Sequence, residues 1–189
     1  MRIFQTNQKT LDSRLKKINL ALKIAVPQLD GLEMVQEKSS GRVHLKGRLS
    51  HWRHNPTTQD ESQLSDGTLR LFGLLWTLFE GQGPLLLEEP ELSLHKDIVR
   101  RLPEVFDRIQ RLGKKRRQII ISTHSQELLS DLSITGPQVL RLEPGEHGTQ
   151  ILAPSVQDSA QMKAGLTAAE VLMPRSAPKN LDQLAFSFD

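Results

Sequence analysis

Two short apolar runs, Leu85-Leu86-Leu87 and Ile119-Ile120-Ile121, constrain this chain more than any other feature. Gly81-Gln82-Gly83-Pro84 precedes the first run, and Gly113 with the basic stretch Lys114 to Arg117 precedes the second. Each run reads as a short core strand of the kind that parallel sheets bury. Between them, Leu94 to Leu112 has helical periodicity, with a break expected at Pro103, because proline removes a backbone donor and clashes with the preceding turn. A strand, a helix of this length and another strand make a βαβ unit, whose crossover is right-handed. The expected fold class is α/β with a mostly parallel core sheet.

The remaining elements follow from pattern and punctuation. Leu11, Leu15, Ile18 and Leu22 recur at helical spacing, so Thr10 to Ile24 reads as an amphipathic helix ended by Pro27. Leu32 to Gln36 and Arg42 to Leu49 form a hairpin pattern around Ser39-Ser40-Gly41, with Val43, Leu45 and Leu49 on one face. His51 to Gln63 is polar and reads as loop. Gly67 to Glu80 is apolar almost all round, which requires a buried helix. Gln138 to Leu142 and Thr149 to Leu152 suggest a second hairpin around Pro144-Gly145-Glu146. After Pro154 one helix is expected, Ala168 to Met173, opened by a capping box of Thr167 and Glu170, with a linker from Pro174 to Asn180.

Composition narrows the function classes. At 189 residues, with 37% apolar and 25% charged residues, the chain is at most one ordinary globular domain. The net charge of +3 permits nucleic acid as a partner but does not argue for it. Having no cysteine excludes a disulfide framework, a cysteine metal site and a thiol nucleophile. The N-terminus lacks the apolar core of a signal peptide, and the longest apolar stretch, Leu69 to Phe79, is too short to span a bilayer. A cytoplasmic protein without a membrane segment is expected.

Three clusters carry chemistry. Glu88, Glu89 and Glu91 follow the first strand, with Pro90 turning the chain among them. His124 follows the second, in Ser122-Thr123-His124-Ser125. Ligands of open α/β sheets bind at the carboxyl ends of strands, so the crossover would bring the acids and His124 to one crevice. The plain alternatives are a solvated acidic turn and a structural histidine. Leu64-Ser65-Asp66-Gly67-Thr68 opens the apolar helix, where free N–H groups and the dipole suit an anion, although Ser65 or Asp66 need only cap the helix.

In this order and spacing the three clusters resemble the ABC-type ATPases of the RecF, SMC and OLD kind, including bacterial AAA-type ATPases. Leu64 to Thr68 resembles the signature motif, and Leu85 to Glu89 resembles Walker B with its catalytic glutamate. Pro90 to His95 resembles the D-loop, and Ser122 to Ser125 the switch-histidine loop. The likeness is dense from about Gln63 to Val139, weak before Gly41 and absent after Pro154. It implies the C-terminal lobe of a P-loop NTPase, using ATP and Mg²⁺ and acting as a dimer. Glu89 and His124 would be catalytic, the first as general base and the second as donor to the γ-phosphate. Glu88 stands where the family usually has an aspartate and would hold Mg²⁺ through water. Ser65, Gly67 and Thr68 would read the γ-phosphate of ATP in trans, with Glu91 beside the nucleotide. DNA repair, chromosome maintenance and phage defence are the settings such relatives imply.

A phosphate loop of the form Gly-x-x-x-x-Gly-Lys-[Ser/Thr] is missing. Gly113-Lys114 has Arg108 in place of the first glycine and Lys115 in place of the hydroxyl. The Walker A strand would therefore be missing from the sheet, leaving Ile119 to Ser122 as an apolar edge. Expected partners are a second copy or a separate subunit bearing Walker A. The alternative is a non-catalytic remnant or regulatory subunit that donates signature and switch residues. Residues 1–60 would form a helix, hairpin and loop, 61–153 the ATPase core, and 154–189 a polar tail. Within that tail Gln183 to Phe188 resembles peptides that bind the bacterial sliding clamp. Lys114 to Arg117 suits either a DNA backbone or, more simply, a helix C-terminus.

Overall fold

A computed structural model describes residues 7–37, 39–50, 57–81, 83–112 and 116–175 of the chain. Gln183 to Phe188 and Lys114-Lys115 lie outside the described residues. The chain divides into two compact units. One comprises Met1–Ile98 with Val105–Ser122, the other Val99–Glu104 with Thr123–Asp189.

The first unit opens with helix α1 (Gln8–Ala25), capped by the Asn7 side chain, which accepts from the Lys9 N–H. Its buried face is set by Ile18 and Leu22, both fully covered. Strands β1 (Leu29–Gln36), β2 (Val43–Leu49) and β3 (Thr57–Asp60) form an antiparallel sheet in that order. Asn19 of α1 grips the edge of β1. It donates to the Leu32 carbonyl at 2.9 Å and accepts the Leu32 N–H at 2.8 Å. That pair satisfies backbone groups that an edge strand would otherwise leave open.

β3 corrects the expectation of loop from His51 to Gln63 over Thr57–Asp60, residues 51–56 lying outside the described residues. It has no apolar alternation, and pairing rather than burial holds it: Lys46 faces Asp60 and Arg48 faces Thr58. A 3₁₀ turn, Glu61–Gln63, follows, and the Glu61 carboxylate accepts the Leu45 N–H at 2.7 Å.

Helix α2 (Asp66–Phe79) is buried as its composition requires, with Leu71, Phe72, Leu74, Leu75, Trp76 and Leu78 all covered. Basic residues of α1 lie over its aromatic rings: Arg14 over Trp76 and Lys17 over Phe79, each 5.7 Å from the ring centre. Each such pair contributes about 0.5–1 kcal/mol at a partly exposed site. At this same C-terminal end of α2, Arg117 donates to the Glu80 carbonyl at 2.7 Å and also to the Thr77 carbonyl. A residue of the basic run thus closes a helix C-terminus, though of α2 rather than of the helix preceding the run.

β4 (Leu85–Glu88) and β5 (Ile119–Ser122) pair in parallel, in register from Leu85↔Ile119 to Glu88↔Ser122. The parallel βαβ pair stands as expected, but the strands are not buried on both faces. Leu85 is covered, whereas its neighbour Leu86 is 71% exposed and the facing Ile120 is 49% exposed. Among the described residues nothing covers that face. Between the strands the expected single helix is two, α3 (Lys96–Val99) and α4 (Leu102–Leu112). The chain breaks at Arg100-Arg101, and Pro103 sits in the first turn of α4, where its missing N–H is harmless.

The second unit holds α5 (Gln126–Leu129), a hairpin of β6 (Arg141–Gly145) and β7 (Gly148–Leu152), and helices α6 (Val156–Lys163) and α7 (Ala168–Leu172). The hairpin turns at Glu146-His147 rather than at Pro144-Gly145, which belong to β6. The Thr167–Glu170 box opens α7 as expected: the Thr167 N–H donates to Glu170 at 2.8 Å and the Glu170 N–H to Thr167 at 3.2 Å. Helix α6 was not expected. Its signal was a second box, in which the Ser155 N–H donates to Asp158 at 2.9 Å and the Asp158 N–H to Ser155 at 3.1 Å. Ala168, Val171 and Leu172 form the core here, with Leu129, Ile134, Val139 and Met162 against them. Met173, expected to end helix α7, forms a 3₁₀ turn with Pro174 and Arg175 of the expected linker, whose residues 176–180 lie outside the described residues. Among the described residues no helix is long and apolar enough to cross a membrane.

Candidate functional site

Strand β4 delivers its acids where a parallel pair ends. Glu88, exposed, is in register with Ser122, the last residue of β5. The next residue, Glu89, donates its N–H to the Ser122 carbonyl at 2.9 Å and leaves the strand with φ of 40°. That left-handed conformation is uncommon for a residue with a side chain and costs on the order of 1 kcal/mol. The Glu89 carbonyl is held from two sides, by the Leu92 N–H at 3.2 Å and the Arg70 guanidinium at 2.7 Å.

The turn that follows is equally confined. Glu91 is buried, only 8% exposed, so this acid belongs to the packing of the turn. Ser93 has φ of 63°. Its carbonyl lies so near α2 that a Cβ placed on Gly67 would approach it to 2.5 Å. Only glycine permits that approach. Gly67 is therefore accounted for by contact with the Pro90 to His95 segment, independently of any ligand.

Ser65 caps α2. Its hydroxyl accepts the Thr68 N–H at 3.2 Å and lies 2.8 Å from the Thr68 hydroxyl. Ser65 is exposed and Thr68 is buried. The plain capping role is therefore fulfilled, on a residue that remains exposed. Beside them is a cleft of about 270 Å³ with Gln28, Gln59, Gln63 and Leu64 in its wall.

His124 belongs to the second unit and is exposed. It lies two residues beyond Ser122, before α5, whose cap is Ser125: the Leu128 N–H donates to the Ser125 hydroxyl at 3.2 Å. The Thr123 hydroxyl accepts the Ser125 N–H at 3.0 Å. Among the described residues no cluster of three or more histidine and acidic side chains could cage a metal. Magnesium rarely needs one, since a single carboxylate plus waters and substrate phosphates suffices. Exposed Glu88 at a strand end fits that limited role. The triphosphate is another matter, because no glycine loop in the sequence could cradle it.

Arg70 was not singled out in the sequence, although one signal existed: it is the sole charged residue between Thr68 and Glu80 in an otherwise apolar helix. Ser93 and Arg117 lie in segments that the sequence marks, Pro90 to His95 and Lys114 to Arg117, but their particular backbone contacts have no sequence signal.

Residues 1–130 match the model of a family described as "AAA domain, putative AbiEii toxin, Type IV TA system". Among solved structures, the chain is similar to one from work on ATP-driven dimerization and DNA stimulated activation of SMC ATPases. The identity is 12% and the TM-score 0.56, over 90% of this chain and 96% of that one. It is also similar to an Smc head domain from Pyrococcus furiosus with an extended coiled coil, bound to the C-terminal domain of ScpA. There the identity is 10% and the TM-score 0.56, over 82% of this chain and 38% of the other. A third, an Smc head from Pyrococcus yayanosii with a coiled coil and joint, is 12% identical with a TM-score of 0.55, over 82% of this chain and 29% of that one. At such identities the likeness is one of fold. No curated protein matches the sequence. The α/β architecture with a parallel pair is that of a P-loop NTPase lobe, as the motifs implied.

Proposed function

Because the chain belongs to this AAA-domain family of ATPases, we propose that it is the hydrolytic lobe of an ABC-type ATPase that works as a dimer. Its phosphate loop would come from outside these 189 residues. The observation that carries the reading is the end of the β4–β5 pair. There Glu89 is pinned to Ser122 by a 2.9 Å hydrogen bond, just before Thr123-His124.

In this reading Glu89 takes the proton from the attacking water as general base. His124 donates a hydrogen bond to the oxygen on which charge builds, and the Ser65 hydroxyl with the N–H groups opening α2 does the same across the dimer. Magnesium, when bound, neutralises phosphate charge, and Glu88 would hold it through water. The bare apolar face of Leu86 and Ile120 supports a missing layer, since parallel sheets are normally covered on both sides. Chromosome maintenance, DNA repair and phage defence are the settings proposed, with DNA as a partner.

The missing loop also favours a second reading, a regulatory subunit or remnant that donates Ser65 and His124 without using Glu89. Glu89→Gln separates the two in an assembly that supplies a phosphate loop. The substitution should abolish hydrolysis while ATP-bound dimer accumulates. Unchanged hydrolysis would exclude Glu89 as the base.

A further inference from the structure

The structure assigns to Arg70 a role as positioning residue for Glu89, an inference that rests on the hydrolytic reading of Glu89 given above. Three contacts converge on one short turn. Ser122 accepts the Glu89 N–H, Leu92 donates to the Glu89 carbonyl, and Arg70 donates to the same carbonyl at 2.7 Å. The first two are local or within the sheet. Arg70 alone comes from α2, one turn beyond Ser65. A guanidinium on a carbonyl is a charge-assisted bond, stronger than a neutral one. Here it bears on a residue whose left-handed φ of 40° needs external support.

The second tie is steric. Gly67, two residues after Ser65, abuts the carbonyl of Ser93, itself left-handed. The first turn of α2 and the turn from Glu89 to Ser93 are thus joined at both ends, once by a hydrogen bond and once by van der Waals contact. They move as one body. An occupant at the Ser65 end of α2 therefore acts on the backbone from which the Glu89 carboxylate springs, within the same chain. In a dimer this makes each base sensitive to the nucleotide that its own chain reads in trans.

The test uses amide hydrogen exchange on the full chain, which needs no partner. In Arg70→Ala, exchange at Glu89 and Leu92 should rise about tenfold or more, with Ile18 and Leu32 unchanged as controls for global folding. Arg70→Lys, which retains one charged donor, should return most of the protection. Exchange at Glu89 and Leu92 as slow in Arg70→Ala as in the parent would overturn the inference. So would failure of lysine to restore it where the control amides stay protected. In an assembly that hydrolyses ATP, Arg70→Ala should lower kcat about tenfold or more with KM little changed, and lysine should rescue it. If Glu89→Gln abolishes hydrolysis while Arg70→Ala leaves kcat intact, the positioning role fails and the hydrolytic reading stands. If Glu89→Gln itself is silent, the hydrolytic reading fails, and the exchange result still decides whether Arg70 holds the turn.

Discussion

A side-chain carbon on Gly67 would lie 2.5 Å from the carbonyl oxygen of Ser93. The two backbones touch because the residue between Asp66 and Thr68 has no Cβ. The glycine of the signature-like segment is thus fixed by packing against the turn after β4. Gly67→Ala should cost on the order of 1–3 kcal/mol, the usual penalty of overpacking. Gly73→Ala in the same helix, with nothing within 4 Å, should instead stabilise by about 0.5–1 kcal/mol. Urea midpoints of the two variants check the opposite signs.

Arg117 closes the C-terminal end of α2 from the residue pair that leads into β5. Burial pulls its pKa below the ordinary arginine value, with Glu80 opposing, yet arginine remains a cation at any working pH. Arg117→Ala should destabilise by roughly 2–3 kcal/mol, because two carbonyls lose a charged donor. Arg117→Lys should recover only part, since an ammonium lacks the planar fork that spans two acceptors. Thermal unfolding of the three proteins gives the ranking.

In the second unit, Asp158 is held below its ordinary pKa, first by the Ser155 backbone N–H, then by the Ser155 hydroxyl and by Arg175. Arg175 reaches it at 2.8 Å. A lowered folded pKa means the carboxylate stabilises the fold above its unfolded value, about 3.9. That contribution is lost as pH falls from there through the folded value. Unfolding followed from pH 7 to pH 2 should therefore show a loss of stability concentrated below about pH 4. Asp158→Asn should flatten the loss, leaving the parts due to Glu170 and Glu37, which contacts with Thr167 and with Ser40 shift in the same direction.

The α/β pair, the helix at Asp66–Phe79 and the Thr167 box were legible because each has a local cause: an apolar run, an all-round apolar face, a capping pair. Strand β3 was not, because Thr57 to Asp60 is polar and exists through pairing with β2. The open face at Leu86 was hidden for a related reason. Three consecutive leucines look the same whether two faces are covered or one. Of the site, the acids and His124 were visible as residue types at strand ends. What holds Glu89 in place was not, because Arg70 and Ser93 act through backbone contacts that no spacing encodes.

The exposed pair Leu86 and Ile120 offers a separation of folding from assembly. Replacing both by threonine keeps β-branched or β-tolerant side chains at positions already open to solvent. Stability of the isolated chain should change by about 0.5 kcal/mol or less. Co-purification with a segment that carries a phosphate loop should be lost. Equal recovery of the complex from both proteins would show that this face is not where the missing layer sits.

In the proposed function these 189 residues supply hydrolytic groups to a nucleotide site whose phosphate cradle comes from elsewhere. Calorimetric titration of the isolated chain with Mg²⁺-ATP tests it most directly. No saturable binding in the micromolar range is expected, with Glu89→Gln behaving like the parent. Micromolar binding by the chain alone, weakened by substitution of residues within it, would show that the chain holds a phosphate cradle of its own.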